Sequence, residues 1–170
     1  MSHHEAFVEM LAGRPEVAEV RLRSAFERLE EMGGKDLLAT TAAMLAQAIL
    51  AQDRPEEALD FCLVSREAAA PEDLWSQVNG TGAYAKIVAR RGRGAEAENL
   101  AREAVELAAS TDFLTLRGDA FLDLAAVLEV GGQAAEAVAA LNSGLELYER
   151  KGNLVSAERA RDRLDRMRSA

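Results

Sequence analysis

The sequence predicts an all-α solenoid, four stacked helical hairpins closed by one further helix. Three observations predict it. First, a turn followed five residues later by alanine recurs with a period of about 40 residues: Gly13 leads to Ala18, Asp53 to Ala58, Gly92 to Ala97 and Gly132 to Ala137. Second, two more rows of small residues keep this register. Ala6, Ala46, Ala85 and Ala125 stand seven residues before each turn, and Ala25, Ser65, Ala104 and Gly144 twelve after it. A fixed period of this length marks helical units that bury their apolar faces on their neighbours. Third, hydrophobic residues make up 49 % of the chain, but much of that is alanine, the best helix former, and only three prolines interrupt it. No sustained β-branched alternation competes with a helical reading.

Each element has its own start and stop signals. First helices are predicted near 4–12, 35–52, 72–91 and 112–131, and second helices near 15–32, 55–70, 94–109 and 134–151. A last helix falls near 154–168. Gly13-Arg14-Pro15-Glu16 ends one helix on glycine and opens the next on proline, whose missing N–H costs nothing there. Asp53-Arg54-Pro55-Glu56 keeps the proline and acid but puts aspartate in the glycine's place. Gly92-Arg93-Gly94 and Gly132-Gln133-Ala134 keep the glycine and lose the proline. Leu45 and Ile49, Tyr84 and Val88, and Leu124 and Leu128 form apolar i, i+4 pairs at equal places in three first helices. Glu5 and Glu9 replace that pair in the first hairpin, which reads either as an N-terminal cap or as a chain cut from a longer array, the cut being favoured. The last helix alternates Arg159, Arg161, Arg163, Arg166 and Arg168 with Glu158, Asp162 and Asp165, while Ala157, Ala160, Leu164 and Met167 keep helical spacing. It reads as a capping helix with a polar outer face.

The charge excludes some functions. The net charge of −9 argues against a nucleic-acid domain, which needs a basic surface. No apolar run approaches the roughly 20 residues of a membrane span, and no charged-then-apolar leader opens the chain. With Cys62 as its one cysteine, the chain is expected in a reducing cytoplasm.

The small-residue rows, the helix–turn–helix unit and the turn glycines resemble tetratricopeptide repeats. The period here is longer than the usual unit of about 34 residues, and neither the early tryptophan nor the closing proline recurs. The second half is similar, through Leu100-Ala101-Arg102-Glu103-Ala104-Val105-Glu106-Leu107-Ala108, Arg117-Gly118-Asp119-Ala120 and Tyr148-Glu149-Arg150-Lys151-Gly152-Asn153, to the C-terminal arrays of bacterial regulators. These join a class III nucleotide cyclase or a DNA-binding module to an AAA-type ATPase and helical repeats. The resemblance implies a right-handed α-solenoid forming one domain over 1–170, with hairpins at about 4–32, 35–70, 72–109 and 112–151 and a capping helix at 154–168. It also implies a non-enzymatic interaction or regulatory role, with a protein or peptide partner or the neighbouring ATPase or cyclase domains of the same polypeptide. A sensor closing on a small ligand in the concave groove and a homodimerisation module are the alternatives.

No catalytic, cofactor or metal site emerges. His3 and His4 are the only histidines and read as terminal residues outside the fold; Cys62 reads as a small buried hydrophobe. Asn79-Gly80-Thr81-Gly82 reads as a place of close helix approach rather than a phosphate loop, since no strand precedes it. Trp75 is expected to anchor the start of that helix. Asp119 and Asp123, one helical turn apart, read as a surface pair or part of a groove. If the first helices line a concave face, Thr40, Gln47, Asn79, Lys86, Arg90, Asp119 and Asp123 point into it, and these are the candidate binding residues.

Overall fold

The computed structural model describes residues 3–169, with Lys35 and Asp36 described in their backbone alone. Among the described residues there are nine helices and no strand: α1 (His3–Leu11), α2 (Pro15–Met32), α3 (Lys35–Leu50), α4 (Pro55–Ala68), α5 (Leu74–Arg90), α6 (Gly94–Ala109), α7 (Leu114–Val130), α8 (Ala134–Lys151) and α9 (Leu154–Ser169). The all-α class is as the alanine rows require. Two helix starts fall later than the sequence suggests. Asp73 takes the capping position and accepts the Ser76 N–H at 3.1 Å, so α5 begins at Leu74 rather than near 72. Phe113 precedes α7, which therefore begins at Leu114 rather than near 112.

The four repeated turns share one backbone solution. Gly13, Asp53, Gly92 and Gly132 have φ of 72°, 59°, 76° and 74°, and Asp53 is the only non-glycine with positive φ among the described residues. Each following residue sends its N–H back to a carbonyl five residues earlier: Arg14 to Glu9, Arg54 to Ile49, Arg93 to Val88 and Gln133 to Leu128. This is the Schellman arrangement, which satisfies helix-end carbonyls while turning the chain.

The chain divides into two compact units, one running to Tyr84 and the other starting at Ala85, with the division inside α5. In the first, α1 packs on α2, α2 on α3 and α3 on α4. Its core holds Ala18, Leu22 and Phe26 of α2, Leu45, Ala46 and Ile49 of α3, and Ala58 and Cys62 of α4. The Phe26 and Phe61 rings meet edge to face at 5.3 Å. Gly80 lets α5 approach α4 closely, since a Cβ there would lie 2.9 Å from Ser65 Oγ. His3 departs from the expectation of a residue outside the fold. It opens α1, and its Nε2 lies 2.8 Å from Thr41 Oγ1; burial and the neighbouring His4 hold its pKa below the usual histidine range. Glu5 and Glu9 are matched within their own hairpin by Arg21 at 3.2 Å and Arg14 at 2.6 Å.

In the second unit α6 packs on α7, α7 on α8 and α8 on α9. Ala97, Ala101, Ala104 and Ala108 are all fully buried along α6. The tightest approach is between α7 and α8. A Cβ on Gly118 would sit 2.6 Å from Tyr148 Cε1, and one on Gly144 2.6 Å from Leu122 Cδ1 and 3.1 Å from the Gly118 carbonyl oxygen. α9 buries Ser156, Ala157, Ala160 and Leu164, while Arg159, Arg161, Arg166 and Arg168 are exposed. Arg163 donates to Glu129 at 2.8 Å and Arg161 to Glu149 at 2.5 Å, so part of its charge is neutralised by the preceding hairpin.

One polar network occurs twice. In the first unit, buried Glu19 of α2 accepts from Arg23 at 2.8 Å, Gln52 at 2.5 Å and Arg54 at 2.7 Å, and both arginines also pair with Glu57 of α4. In the second, Glu98 of α6 accepts from Arg102 at 2.9 Å and Gln133 at 3.1 Å, and Arg102 reaches Glu136 of α8 at 2.8 Å. Glu19, Arg23, Arg54 and Glu57 thus have Glu98, Arg102, Gln133 and Glu136 as their counterparts two hairpins further on. The network ties the first hairpin to the second and the third to the fourth. Burial pushes the Glu19 carboxyl up, but its three donors outweigh that and hold it below the usual range. Arg102, followed by Gln133, does the same for Glu98.

Candidate functional site

The polar residues singled out on the first helices form separate groups in each unit. In the first, Thr40 of α3 shares a hydrogen bond with Ser76 of α5, their oxygens 3.0 Å apart. Gln47, two turns further along α3, donates from Nε2 to the Asn79 carbonyl at 3.3 Å, and Asn79 itself donates to the Trp75 carbonyl at 2.8 Å. Thr40, Gln47 and Asn79 are all partly buried. Amides and hydroxyls in such positions hold adjacent helices in register.

In the second unit, Lys86 of α5 and Asp123 of α7 form an ion pair with Nζ 2.6 Å from Oδ1. One turn earlier on α7, Asp119 accepts the Tyr148 hydroxyl of α8 at 2.6 Å. Asp119 is brought here by its own helix period and by Gly118, whose missing side chain leaves room for the Tyr148 ring. Burial raises its carboxyl to about 7. The Asp123 charge adds to the rise, while the Tyr148 hydrogen bond and Lys86 oppose it. Burial and Asp119 also push the Tyr148 hydroxyl upward, keeping it a donor. Arg90 lies exposed in the last turn of α5.

Asp119 and Asp123 thus differ from a simple surface pair: one is tied to Tyr148, the other to Lys86. Sequence reasoning missed two partners, Ser76 and Tyr148. Tyr148 reads as one more apolar residue at helical spacing with Leu141 and Leu145; the usable signal is that a buried tyrosine hydroxyl needs a polar partner. Among the described residues no group of three or more His, Cys, Asp or Glu side chains is placed to hold a metal ion. No described helix is long and apolar enough to cross a membrane.

No family model matches the chain, and no curated protein matches it. Solved structures do. A Podosopora anserina putative kinesin light chain with nearly identical TPR-like repeats is 18 % identical with a TM-score of 0.57, over 98 % of this chain and 93 % of that one. A second solved structure of that repeat protein gives the same identity and TM-score, over 98 % of this chain and 92 % of that one. BtubC (BKLC) from P. vanneervenii is 18 % identical with a TM-score of 0.59, over 96 % of this chain and 77 % of that one. At this identity the likeness concerns the fold: the chain is an all-α solenoid of tetratricopeptide-like repeats.

Proposed function

We propose that this chain is a non-enzymatic scaffold that binds a protein or peptide through polar side chains on its first helices. The observation that carries the proposal is the recurrence of partly buried polar groups at one register, Thr40 on α3, Asn79 on α5 and Asp119 on α7, between rows of fully buried alanines. A helical repeat needs only apolar and small residues to stack. Polar groups that recur at the same place in successive first helices, although each is also bonded within the fold, support a role in recognition, with Gln47, Lys86, Arg90 and Asp123 beside them. The mixture of neutral, basic and acidic groups suits an extended peptide of mixed charge.

The test is selection of peptides from a random display library on the purified chain, followed by fluorescence anisotropy. Lys86→Ala and Asp123→Ala together are expected to weaken the selected peptides at least about tenfold, since losing one partner of a charge-assisted contact costs upward of about 1.4 kcal/mol. The melting temperature should stay near that of the unmodified chain. Failure to select any peptide, or affinities unchanged by these substitutions and by Gln47→Ala, would reject the reading. The resemblance to regulator arrays further supports a place in a cytoplasmic bacterial signalling protein, beside an ATPase or cyclase domain. Sequencing the complete reading frame decides that point.

A further inference from the structure

We propose that the chain binds a second copy of itself, the corner where α2 meets α3 in one copy seating on the corner where α8 meets α9 in the other. The two corners share one backbone. α2 and α8 are both 18 residues long, and both end on a left-handed glycine, Gly33 and Gly152. The next N–H closes each Schellman cap at 2.9 Å, from Gly34 to the Leu29 carbonyl and from Asn153 to the Tyr148 carbonyl. α4 and α6 end differently, on Ala69 in extended and Ser110 in right-handed conformation. Each of the two corners also exposes apolar side chains. Leu154 and Met32 are the two most exposed large hydrophobic residues among those described, at 75 % and 73 %. Val155 stands beside the first at 44 %, and Leu37 flanks the turn after the second at 53 %. Exposed apolar patches rimmed by charge mark association surfaces.

The rims carry opposite charge. Glu27, Glu30 and Glu31 are exposed in the last two turns of α2, against one exposed base there, Arg28. Lys35 and Asp36, next in sequence, cancel each other. At the same places in α8, Arg150 stands for Glu31 and Lys151 for Met32, and both are exposed. Glu149 is neutralised by Arg161 at 2.5 Å, so the two bases outweigh Glu146 and leave this corner positive. The acids of α2 lie at a helix C-terminus, where the dipole disfavours anions and suits cations. α2 has no base of its own in that last turn. A second copy of the chain brings what the α2 corner lacks, two cations beside apolar side chains. Charge complementarity therefore names the occupant, and the contact is separate from the first-helix groups proposed to bind a peptide.

The test is sedimentation velocity of the full chain from about 10 μM to about 1 mM, since a corner this small supports only weak association. The average mass should rise with concentration, and added salt should lower it. Glu30→Arg with Glu31→Arg makes both corners basic, and Arg150→Glu with Lys151→Glu makes both acidic. Each double variant alone is expected to associate at least about tenfold more weakly than the parent, because like charges then meet. Mixing the two in equal amounts sets opposite charges at every contact and should restore association. All four positions are exposed, so the melting temperatures should stay near that of the parent. A parent that stays monomeric throughout, variants that associate as it does, or a mixture that remains monomeric overturns the proposal.

Discussion

At the scale of single residues, glycine serves two separable purposes. Gly132 needs its positive φ and has open space around it, with no atom within 4 Å of an added Cβ. Gly132→Ala should therefore lose only the conformational term, roughly 1 kcal/mol. Gly118→Ala adds the same methyl group where it meets the Tyr148 ring at 2.6 Å, and overpacking should cost about 2–3 kcal/mol. Urea unfolding of the two variants checks the order, and an equal or reversed loss contradicts it. Ser65 is the opposite case. Its Oγ is buried with no hydrogen-bond partner, the one such side-chain atom among the described residues, and a Cβ added to Gly80 would lie 2.9 Å from it. An unpaired buried hydroxyl costs about 1–3 kcal/mol, so Ser65→Ala should raise stability by up to about 1 kcal/mol. A lower melting temperature for that variant would show the hydroxyl to be useful.

At the scale of helices, the duplicated Glu–Arg network offers an internal comparison. Glu19 has a 9 % exposed side chain and three donors, whereas its counterpart Glu98 is 25 % exposed and has two. Glu19→Ala strips a buried acceptor from Arg23, Gln52 and Arg54 and should cost about 2–3 kcal/mol. Glu98→Ala, acting on a more solvated pair, should cost at most about 1 kcal/mol. Denaturation midpoints decide between this ranking and equal effects. Both carboxyls are held below their ordinary value in the folded state, so their stabilisation is present above about pH 4.5 and is lost as pH falls further. Asp119 has the opposite sign, and stability plotted against pH should therefore rise and then decline between acid and neutral conditions. Glu19→Gln should weaken the acid limb and leave the neutral one.

At the scale of the whole chain, the fold was written in spacing. The turn-to-alanine interval located all four interior turns, because left-handed φ and close helix contact each admit very few residue types. Asp53 was recognisable as a turn residue only through its register, since aspartate alone carries no such message. Partnerships were much less legible. Lys86 and Asp123 stand 37 residues apart and Asp119 and Tyr148 29 apart, distances set by how helices pack between and within hairpins rather than by any local pattern. His3 is illegible for a related reason: its place depends on Thr41, 38 residues away, and nothing beside it in sequence announces that contact. A peptide backbone can thus be inferred from periodicity, while a side-chain pair requires three-dimensional register.

The Glu–Arg network also says how such an array can change length. Three successive turns offer a receiving pair at the same register, Arg54 and Glu57, Arg93 and Glu96, and Gln133 and Glu136 with glutamine in the arginine's place, but only the first and third hairpins carry the Glu–Arg couple that engages it. At the corresponding places the second hairpin has Leu59 and Leu63, and the fourth Val138 and Asn142. A gene lacking the segment from Asp53 to Arg91 would join Gln52 to Gly92 and offer Arg93 and Glu96 to Glu19 and Arg23 with every sign preserved. Recombination could thus drop one hairpin without creating a charge clash, and the repertoire open to this array includes shorter descendants as well as copies of itself.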